Sequence, residues 1–119
     1  MNTFYLHHIP CVLWGNPSDK IILAVHGNLS SKTDVPIQIL AKVASAKGYQ
    51  VLSFDLPEHG DRKEEATLCK VQTCVQELQQ IIDYTSVHWK NVSLFANSIG
   101  AYFSLTALQN ISLQRALFL

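Results

Sequence analysis

Residues 92–102 have the sequence VSLFANSIGAY, and this stretch predicts the fold of the whole chain. Its first four residues are apolar enough for a buried strand, and an apolar helix follows from Ile99. Ser98 lies at the joint between them, and the small residues Ala96 and Gly100 let the strand and the helix approach closely. A sharp turn of this kind strains the serine backbone and holds the hydroxyl out of the fold.

The composition is that of one globular domain. The 119 residues are 48% hydrophobic and 15% charged, so the chain is long enough for one core but not for two. Nine basic and nine acidic residues give a formal net charge of zero, which argues against nucleic acid or an anionic membrane surface as a partner. We expect no membrane span and no signal peptide, because the chain lacks a long apolar run and a basic, apolar N-terminus.

The three cysteines, Cys11, Cys69 and Cys74, lack C-x-x-C spacing. Reduced thiols in a cytoplasmic protein are therefore the simplest interpretation. Cys69 and Cys74 are most simply packing residues of a helix, since positions five residues apart share a helix face poorly.

The chain alternates between strand and helix patterns after an initial hairpin. We expect strands at residues 4–7, 10–14, 21–25, 49–54, 92–95 and 115–119, and helices at about 35–47, 67–85 and 99–109. Asp34 is the expected N-cap of the first helix, with Val43 on its buried face; Leu68 and Val71 begin the buried face of the second. The third helix is apolar nearly all round, so we expect it to be deeply buried. This order predicts an α/β three-layer sandwich, with a mostly parallel sheet, an antiparallel N-terminal hairpin and helices on both faces.

Three loops leave the carboxyl ends of the predicted parallel strands, where the ligand sites of such sheets lie. One is the turn at Ser98, which we call the serine turn (residues 97–99). The first loop (residues 26–34) begins His26-Gly27-Asn28, and the second loop (residues 55–62) has the sequence DLPEHGDR. The three loops together are far more specific than any one of them.

These loops resemble three segments of the α/β-hydrolase superfamily, in the same order along the chain. The serine turn resembles the nucleophile elbow G-x-S-x-G, with alanine in place of the first glycine. The His-Gly pair of the first loop resembles the segment after the third strand of the superfamily. The second loop resembles its D-x-x-G-H-G segment, with Glu58 where glycine is common. The resemblance covers essentially the whole chain.

The resemblance implies a serine hydrolase. Ser98 would attack an ester, thioester or amide carbonyl of a small-molecule or acyl substrate and form an acyl-enzyme. The backbone amides of Asn28 and Ile99 would form the oxyanion hole, with Leu29 as a substitute for Asn28. The resemblance implies no organic cofactor and no metal ion. Four residues would shape the site without transferring protons: His26, Gly27, His59 and Gly100.

In this superfamily the catalytic acid and the general base histidine follow later strands, and the sequence ends before either. We therefore expect residues 1–119 to be a single domain that corresponds to the N-terminal half of the fold, incomplete at the C-terminus, with the acid and the base beyond Leu119. An incomplete sheet would leave the apolar residues 116–119 on an edge strand. We expect self-association through that edge, because an unpaired apolar strand invites pairing.

Other interpretations stay open at the level of sequence. Ser98 could be a helix N-cap, the commonest role of serine at such a junction. The domain could be a non-catalytic binding or interaction module on the same scaffold, or a weakly active enzyme with His26 or His59 as its base. Residues 27–33 also resemble a phosphate-binding loop, but they lack its second glycine and are one residue short.

Overall fold

Six strands and three helices make up the described part of the chain. The computed structural model describes residues 1–107 and the backbone of residues 115–118. The strands are β1 (Asn2–Leu6), β2 (Ile9–Trp14), β3 (Lys20–Val25), β4 (Gln50–Phe54), β5 (Asn91–Ala96) and β6 (Arg115–Phe118). The helices are α1 (Val35–Ala46), α2 (Val71–His88) and α3 (Ile99–Ala107), and a short 3-10 turn, Gly60–Arg62, lies between β4 and α2.

The strands form one sheet in the order β1-β2-β4-β3-β5-β6. Strands β3 to β6 run parallel to their neighbours in this set, whereas β2 is antiparallel to both β1 and β4. The hairpin between β1 and β2 turns at His7, whose φ of +55° supplies the left-handed conformation that asparagine or glycine usually provides. The mostly parallel sheet with its antiparallel hairpin is therefore confirmed.

Helices cover both faces of this sheet. Helix α1 packs on one face, against Ala24 and Val51. Helices α2 and α3 pack on the other face, against Leu23 and Leu52. Neighbouring strand residues serve opposite faces because side chains alternate along a strand. The predicted three-layer sandwich is confirmed.

The register of the sheet brings three strand ends into one row. Val25, the last residue of β3, pairs with Phe54 at the end of β4 and with Ala96 at the end of β5. The first loop, the second loop and the serine turn therefore leave the sheet side by side. A site shared between these loops requires this alignment.

Helix α2 begins later than the sequence predicts. It begins at Val71, and Leu68 and Val71 are about half-exposed rather than buried. The Cys69 amide donates a hydrogen bond of 2.7 Å to the Glu58 carboxylate. The backbone just before Lys70 is thus held by the second loop, outside the helix.

Apolar periodicity also overestimates burial in the other two helices. Asp34 caps α1 as predicted and accepts a hydrogen bond of 2.9 Å from the Ile37 amide, but Val43 is half-exposed. Tyr102 and Leu105 of α3 are half-exposed as well, so only one side of this helix is as deeply buried as predicted. A helix without a polar stripe does not reveal from its sequence which side meets the sheet.

Strand β6 lies at one end of the strand order and pairs with β5. Two expectations fall outside the described residues: the end of the third helix at residues 108–109, and Leu119 at the end of the last strand. Among the residues that are described, no helix has both the length and the apolar character needed to cross a membrane.

Candidate functional site

The serine turn joins β5 to α3 with a strained backbone. Ser98 has a φ of +56°, a left-handed conformation that costs an L-residue about 1 to 2 kcal/mol. Its side chain is exposed, and its hydroxyl has no hydrogen-bond partner within residues 1–107. The helix is therefore not capped by this side chain, and the N-cap interpretation fails on that point.

Two glycines allow the serine turn to approach β3 and the first loop. A Cβ atom on Gly100 would lie 2.5 Å from the carbonyl oxygen of His26 and 2.8 Å from Val25 Cγ1. A Cβ atom on Gly27 would lie 3.1 Å from Ser98 Cβ and 3.8 Å from Ser98 Oγ. The structure thus places Gly27 against Ser98, and Gly100 against the end of β3 and the His26 carbonyl.

The two predicted oxyanion residues line one cavity beside the serine turn. This cavity, of about 570 Å³, is lined by Asn28, Leu29, Glu58, His59, Lys63, Cys69 and Ile99. The amides of Asn28 and Ile99 have no hydrogen-bond partner in the described part of the chain, whereas the next amides of α3 bond to Asn97 and Ser98 carbonyls. A helix N-terminus with a free amide favours negative charge. The arrangement can therefore receive an anionic oxygen.

A larger cavity, of about 670 Å³, lies elsewhere, between α1 and the end of β2. Trp14, Thr33 and Ser45 are among the residues that line it. None of the predicted site residues contributes to this cavity, so size alone would point away from the serine turn. We place the candidate site at the smaller cavity because Asn28 and Ile99, whose amides are unpaired within the described residues, line it.

His26 is fully committed to holding the first two loops together. Its Nδ1 bonds to the Gly27 carbonyl at 2.7 Å, and its Nε2 accepts a hydrogen bond of 3.0 Å from the Leu56 amide. The ring is fully buried, and this burial lowers the pKa of the imidazole below its usual value. With both nitrogens occupied, His26 has no lone pair left to activate Ser98.

His59 differs from His26 in one respect. Its Nδ1 bonds to the Pro57 carbonyl at 2.8 Å, and its ring centroid lies 5.0 Å from that of His26. Its Nε2 has no partner among residues 1–107, and the ring lines the cavity with Asn28 and Ile99. Of the two histidines, His59 is the one with a nitrogen available to a ligand.

An ion cluster around the buried Asp55 joins the two loops, and we call it the loop clamp (Lys32, Asp55 and Asp61). The Lys32 ammonium donates hydrogen bonds of 2.7 Å to both carboxylates. Asp55, which is fully buried, also accepts from the Lys32 amide at 2.9 Å and from the Asp61 amide at 3.0 Å. Burial alone would lower the pKa of Lys32, but its two carboxylate partners outweigh burial and raise it.

The loop clamp rules out the phosphate-binding interpretation of residues 27–33. The lysine that such a loop would use is already neutralised by two carboxylates. Sequence reasoning missed the clamp because the two carboxylates are 23 and 29 residues away from Lys32 along the chain. Gly60 is a further sign of close packing around Asp55, because a Cβ atom at this position would lie 2.2 Å from Asp55 Oδ1.

A second buried pair ties the second loop to α2. Arg62 is fully buried, and its guanidinium bonds to both carboxylate oxygens of Glu77 and to the Asp55 carbonyl. Sequence reasoning missed this pair as well. Its signal was present: Glu77 falls on the apolar face of α2, between Cys74 and Ile81 at helical spacing.

Within the described residues, no group of three or more His, Cys, Asp or Glu side chains is placed to hold a metal ion.

Comparisons with known proteins agree on the fold. No protein-family model matches the chain, and no curated protein matches it in sequence. Among solved structures, it resembles the thioesterase domain from the curacin biosynthetic pathway, with 21% identity and a TM-score of 0.75 over 99% of this chain and 44% of that one. It also resembles a cold-adapted esterase from an Arctic intertidal metagenomic library, with 19% identity and a TM-score of 0.72 over 98% of this chain and 58% of that one.

A third similar structure is alpha/beta hydrolase domain-containing protein 10 from mouse, with 15% identity and a TM-score of 0.78. The alignment covers 98% of this chain and 48% of the mouse protein. The chain thus spans about half the length of the solved structures it matches. At these identities the likeness concerns the fold alone, and it confirms the fold that the three motifs predict.

Proposed function

We propose, from the α/β-hydrolase fold of this chain, that it carries the nucleophile and the oxyanion hole of a serine hydrolase acting on an ester, thioester or amide carbonyl. The observation that carries the proposal is the serine turn. Ser98 has a strained, positive φ and an exposed hydroxyl, and it lies against Gly27 at the carboxyl edge of the sheet. Strain of this kind persists where the surrounding structure enforces it, and it clusters at active sites.

In the proposed reaction, Ser98 Oγ attacks the carbonyl carbon and the carbonyl oxygen becomes an oxyanion. The amides of Asn28 and Ile99, which line one cavity, donate hydrogen bonds to that oxygen. The leaving group departs with a proton, the acyl group stays on Ser98, and water then hydrolyses the acyl-enzyme. His26, Gly27, His59 and Gly100 hold the loops and the turn in place.

The catalytic acid and base are proposed to come from a segment beyond Leu119. His26 is excluded as the base by its two hydrogen bonds. His59 is the internal alternative, because its Nε2 has no partner in the described residues and its ring lines the cavity. A chain that used His59 in this way would be a weak hydrolase, since His59 lacks the carboxylate that orients a triad histidine.

Fluorophosphonate labelling of the full-length protein tests this proposal. We expect labelling of the wild type, loss of labelling in Ser98→Ala, and full labelling in the control Ser86→Ala, which removes an exposed hydroxyl from α2. Labelling that persists unchanged in Ser98→Ala would remove Ser98 from the mechanism. A His59→Gln variant separates the two sources of the base: its labelling survives if the base lies beyond Leu119.

A second candidate function is a non-catalytic binding or interaction module. It is favoured by the absence, within residues 1–107, of any side chain bonded to the Ser98 hydroxyl, and by the position of β6 at the edge of the sheet. This function predicts no labelling of the wild type and self-association through β6. Sedimentation of the 119-residue chain tests the latter, and a stable monomer counts against it.

We further propose a cytoplasmic location. The three cysteines are free thiols in the described part of the chain, and structural disulfides are rare in the cytoplasm. Fractionation of cells that express a tagged full-length protein tests this location.

A further inference from the structure

Two thiols meet at the rim of the candidate cavity, where the proposed reaction has no use for them. Cys69 Sγ and Cys74 Sγ lie 3.4 Å apart. A disulfide needs about 2.05 Å between its sulfurs, so an approach of roughly 1.4 Å would join them. Cys74 is fixed in α2, whereas Cys69 precedes the helix, so the approach falls to Cys69.

The two thiols differ in access to solvent. Cys69 is partly exposed and lines the cavity together with Asn28 and Ile99. Cys74 is fully buried, and burial raises the pKa of its thiol. An oxidant entering from the cavity therefore reaches Cys69 first, and Cys74 is buried behind it. One accessible sulfur with a second sulfur in reach is an arrangement often found at redox-sensor cysteines.

We propose that Cys69 and Cys74 form a reversible disulfide when the protein meets a peroxide, and that this disulfide regulates the adjacent cavity. Cys69 Sγ attacks one peroxide oxygen, the O–O bond breaks, and a sulfenic acid and one molecule of water or alcohol result. Cys74 Sγ then attacks Cys69 Sγ, the S–O bond breaks, and hydroxide leaves with the Cys74 proton as water. The two thiols lose two electrons and the peroxide gains them, and a dithiol reductant reverses the change.

The link to the cavity passes through Glu58. Glu58 is one of the residues that line the cavity, and its carboxylate accepts a 2.7 Å hydrogen bond from the Cys69 amide. Moving Cys69 toward α2 draws that amide away and leaves the carboxylate free in the cavity. A free carboxylate at the cavity that Asn28 and Ile99 also line disfavours a second negative charge there. Oxidation is therefore expected to slow any reaction that develops an oxyanion, and this second arm rests on the proposed function.

Thiol mapping of the full-length protein tests the first arm without any assay of activity. The reduced protein is treated with a small excess of hydrogen peroxide and alkylated. It is then unfolded and alkylated again with an isotopic form of the reagent, and its peptides are analysed by mass spectrometry. We expect a cross-link between Cys69 and Cys74, while Cys11, which is buried, remains a thiol. Equal oxidation of all three cysteines, or none, would overturn the proposal.

Two variants, each lacking one of the two thiols, test the order in which the sulfurs react. Because there are two, the test does not depend on a single variant that fails to fold. In Cys74→Ala, Cys69 is expected to stop at the sulfenic acid, which dimedone traps. In Cys69→Ser, a change at a partly exposed position, Cys74 is expected to resist peroxide. Peroxide reactivity of Cys74 without Cys69 would overturn the assigned order of the two sulfurs.

Fluorophosphonate labelling of the reduced and the oxidised protein tests the second arm. We expect a several-fold slower labelling after oxidation, and no difference between the two forms in Glu58→Gln. Equal rates in wild-type protein that carries the disulfide would overturn the regulation. Disulfide formation in a protein that labels in neither form would overturn the proposed function and support the redox pair.

Discussion

The loop clamp and the serine turn lie at the same edge of the sheet, but they differ in whether their polar groups have hydrogen-bond partners. In the clamp, every charge that is buried has a partner: Lys32 bonds to both carboxylates, and Asp55 also accepts from two amides. In the serine turn, the Ser98 hydroxyl and the Ile99 amide have no partner in the described part of the chain.

The difference separates polar groups that hold the structure from polar groups left open to a ligand. A buried polar group without a partner is costly, so structural groups are paired. A group that must bind a reacting atom has to be free of other partners. Such a group costs little where solvent can reach it, and the Ser98 side chain is exposed. If this interpretation is correct, changes in the clamp reduce stability, and changes in the serine turn reduce reactivity while stability is kept.

The largest expected effect is that of Asp55→Ala. This change leaves the Lys32 ammonium, whose side chain is 9% exposed, without its buried partner. Removing one member of a buried ion pair costs about 3 to 5 kcal/mol of unfolding free energy. The measurement is urea denaturation, with Asp61→Asn as the matched control. Because the Asp61 side chain is 66% exposed, its loss is expected to cost about 1 kcal/mol or less. Equal losses in the two variants would show that the clamp is not a buried structural cluster.

Two glycine substitutions compare the same added methyl group at two positions. In Gly100→Ala the Cβ overlaps the His26 carbonyl and Val25, and overpacking of this kind costs about 1 to 3 kcal/mol. In Gly27→Ala the nearest atom is Ser98 Cβ at 3.1 Å, a contact that the exposed serine relieves with a small shift.

We therefore expect Gly100→Ala to lose stability in thermal unfolding, and Gly27→Ala to lose fluorophosphonate labelling with little loss of stability. A Gly27→Ala variant that labels at the wild-type rate would separate the first loop from the site.

Sequence patterns predicted what depends on near neighbours along the chain. The order of strands and helices, the Asp34 cap and the sharp turn at Ser98 follow from local composition and spacing. The position of Glu77 on the apolar face of α2 indicates a buried carboxylate, but its partner Arg62 does not follow from one sequence. That partner and the loop clamp depend on which segments the sheet brings together. The start of α2 differs from the prediction for the same reason, since the Glu58 carboxylate accepts a hydrogen bond from the Cys69 amide, 11 residues along the chain.

We expect acid pH to lower the stability of the folded protein through His26. Burial lowers the pKa of this histidine in the folded state, so the unfolded chain binds a proton that the native protein resists. Stability then rises with pH in this range; it is fully present above the unfolded pKa of about 6.5 and declines as the pH falls below it, by at most about 1.4 kcal/mol per pH unit.

Urea denaturation at several pH values between 7.5 and 5 measures this dependence. His26→Gln keeps an acceptor for the Leu56 amide and does not titrate, so its stability is expected to change less over the same range. The prediction fails if the variant and the wild type lose stability in parallel.

The smallest effect is the most direct test of the strain at the serine turn. Ser98→Ala removes a hydroxyl that has no partner in the described residues, so stability is expected to stay within about 0.5 kcal/mol of the wild type. Ser98→Gly removes the same hydroxyl and also the Cβ that makes a φ of +56° unfavourable. Glycine gains freedom in the unfolded chain, but relief of the left-handed strain outweighs it, and we expect Ser98→Gly to be about 0.5 to 1 kcal/mol more stable than Ser98→Ala. Paired denaturation curves measure this difference. If Ser98→Gly is more stable than Ser98→Ala, the turn holds a strained residue that stability does not require. If Ser98→Gly is less stable than Ser98→Ala, position 98 is not strained, and the argument that strain is kept there for reactivity fails.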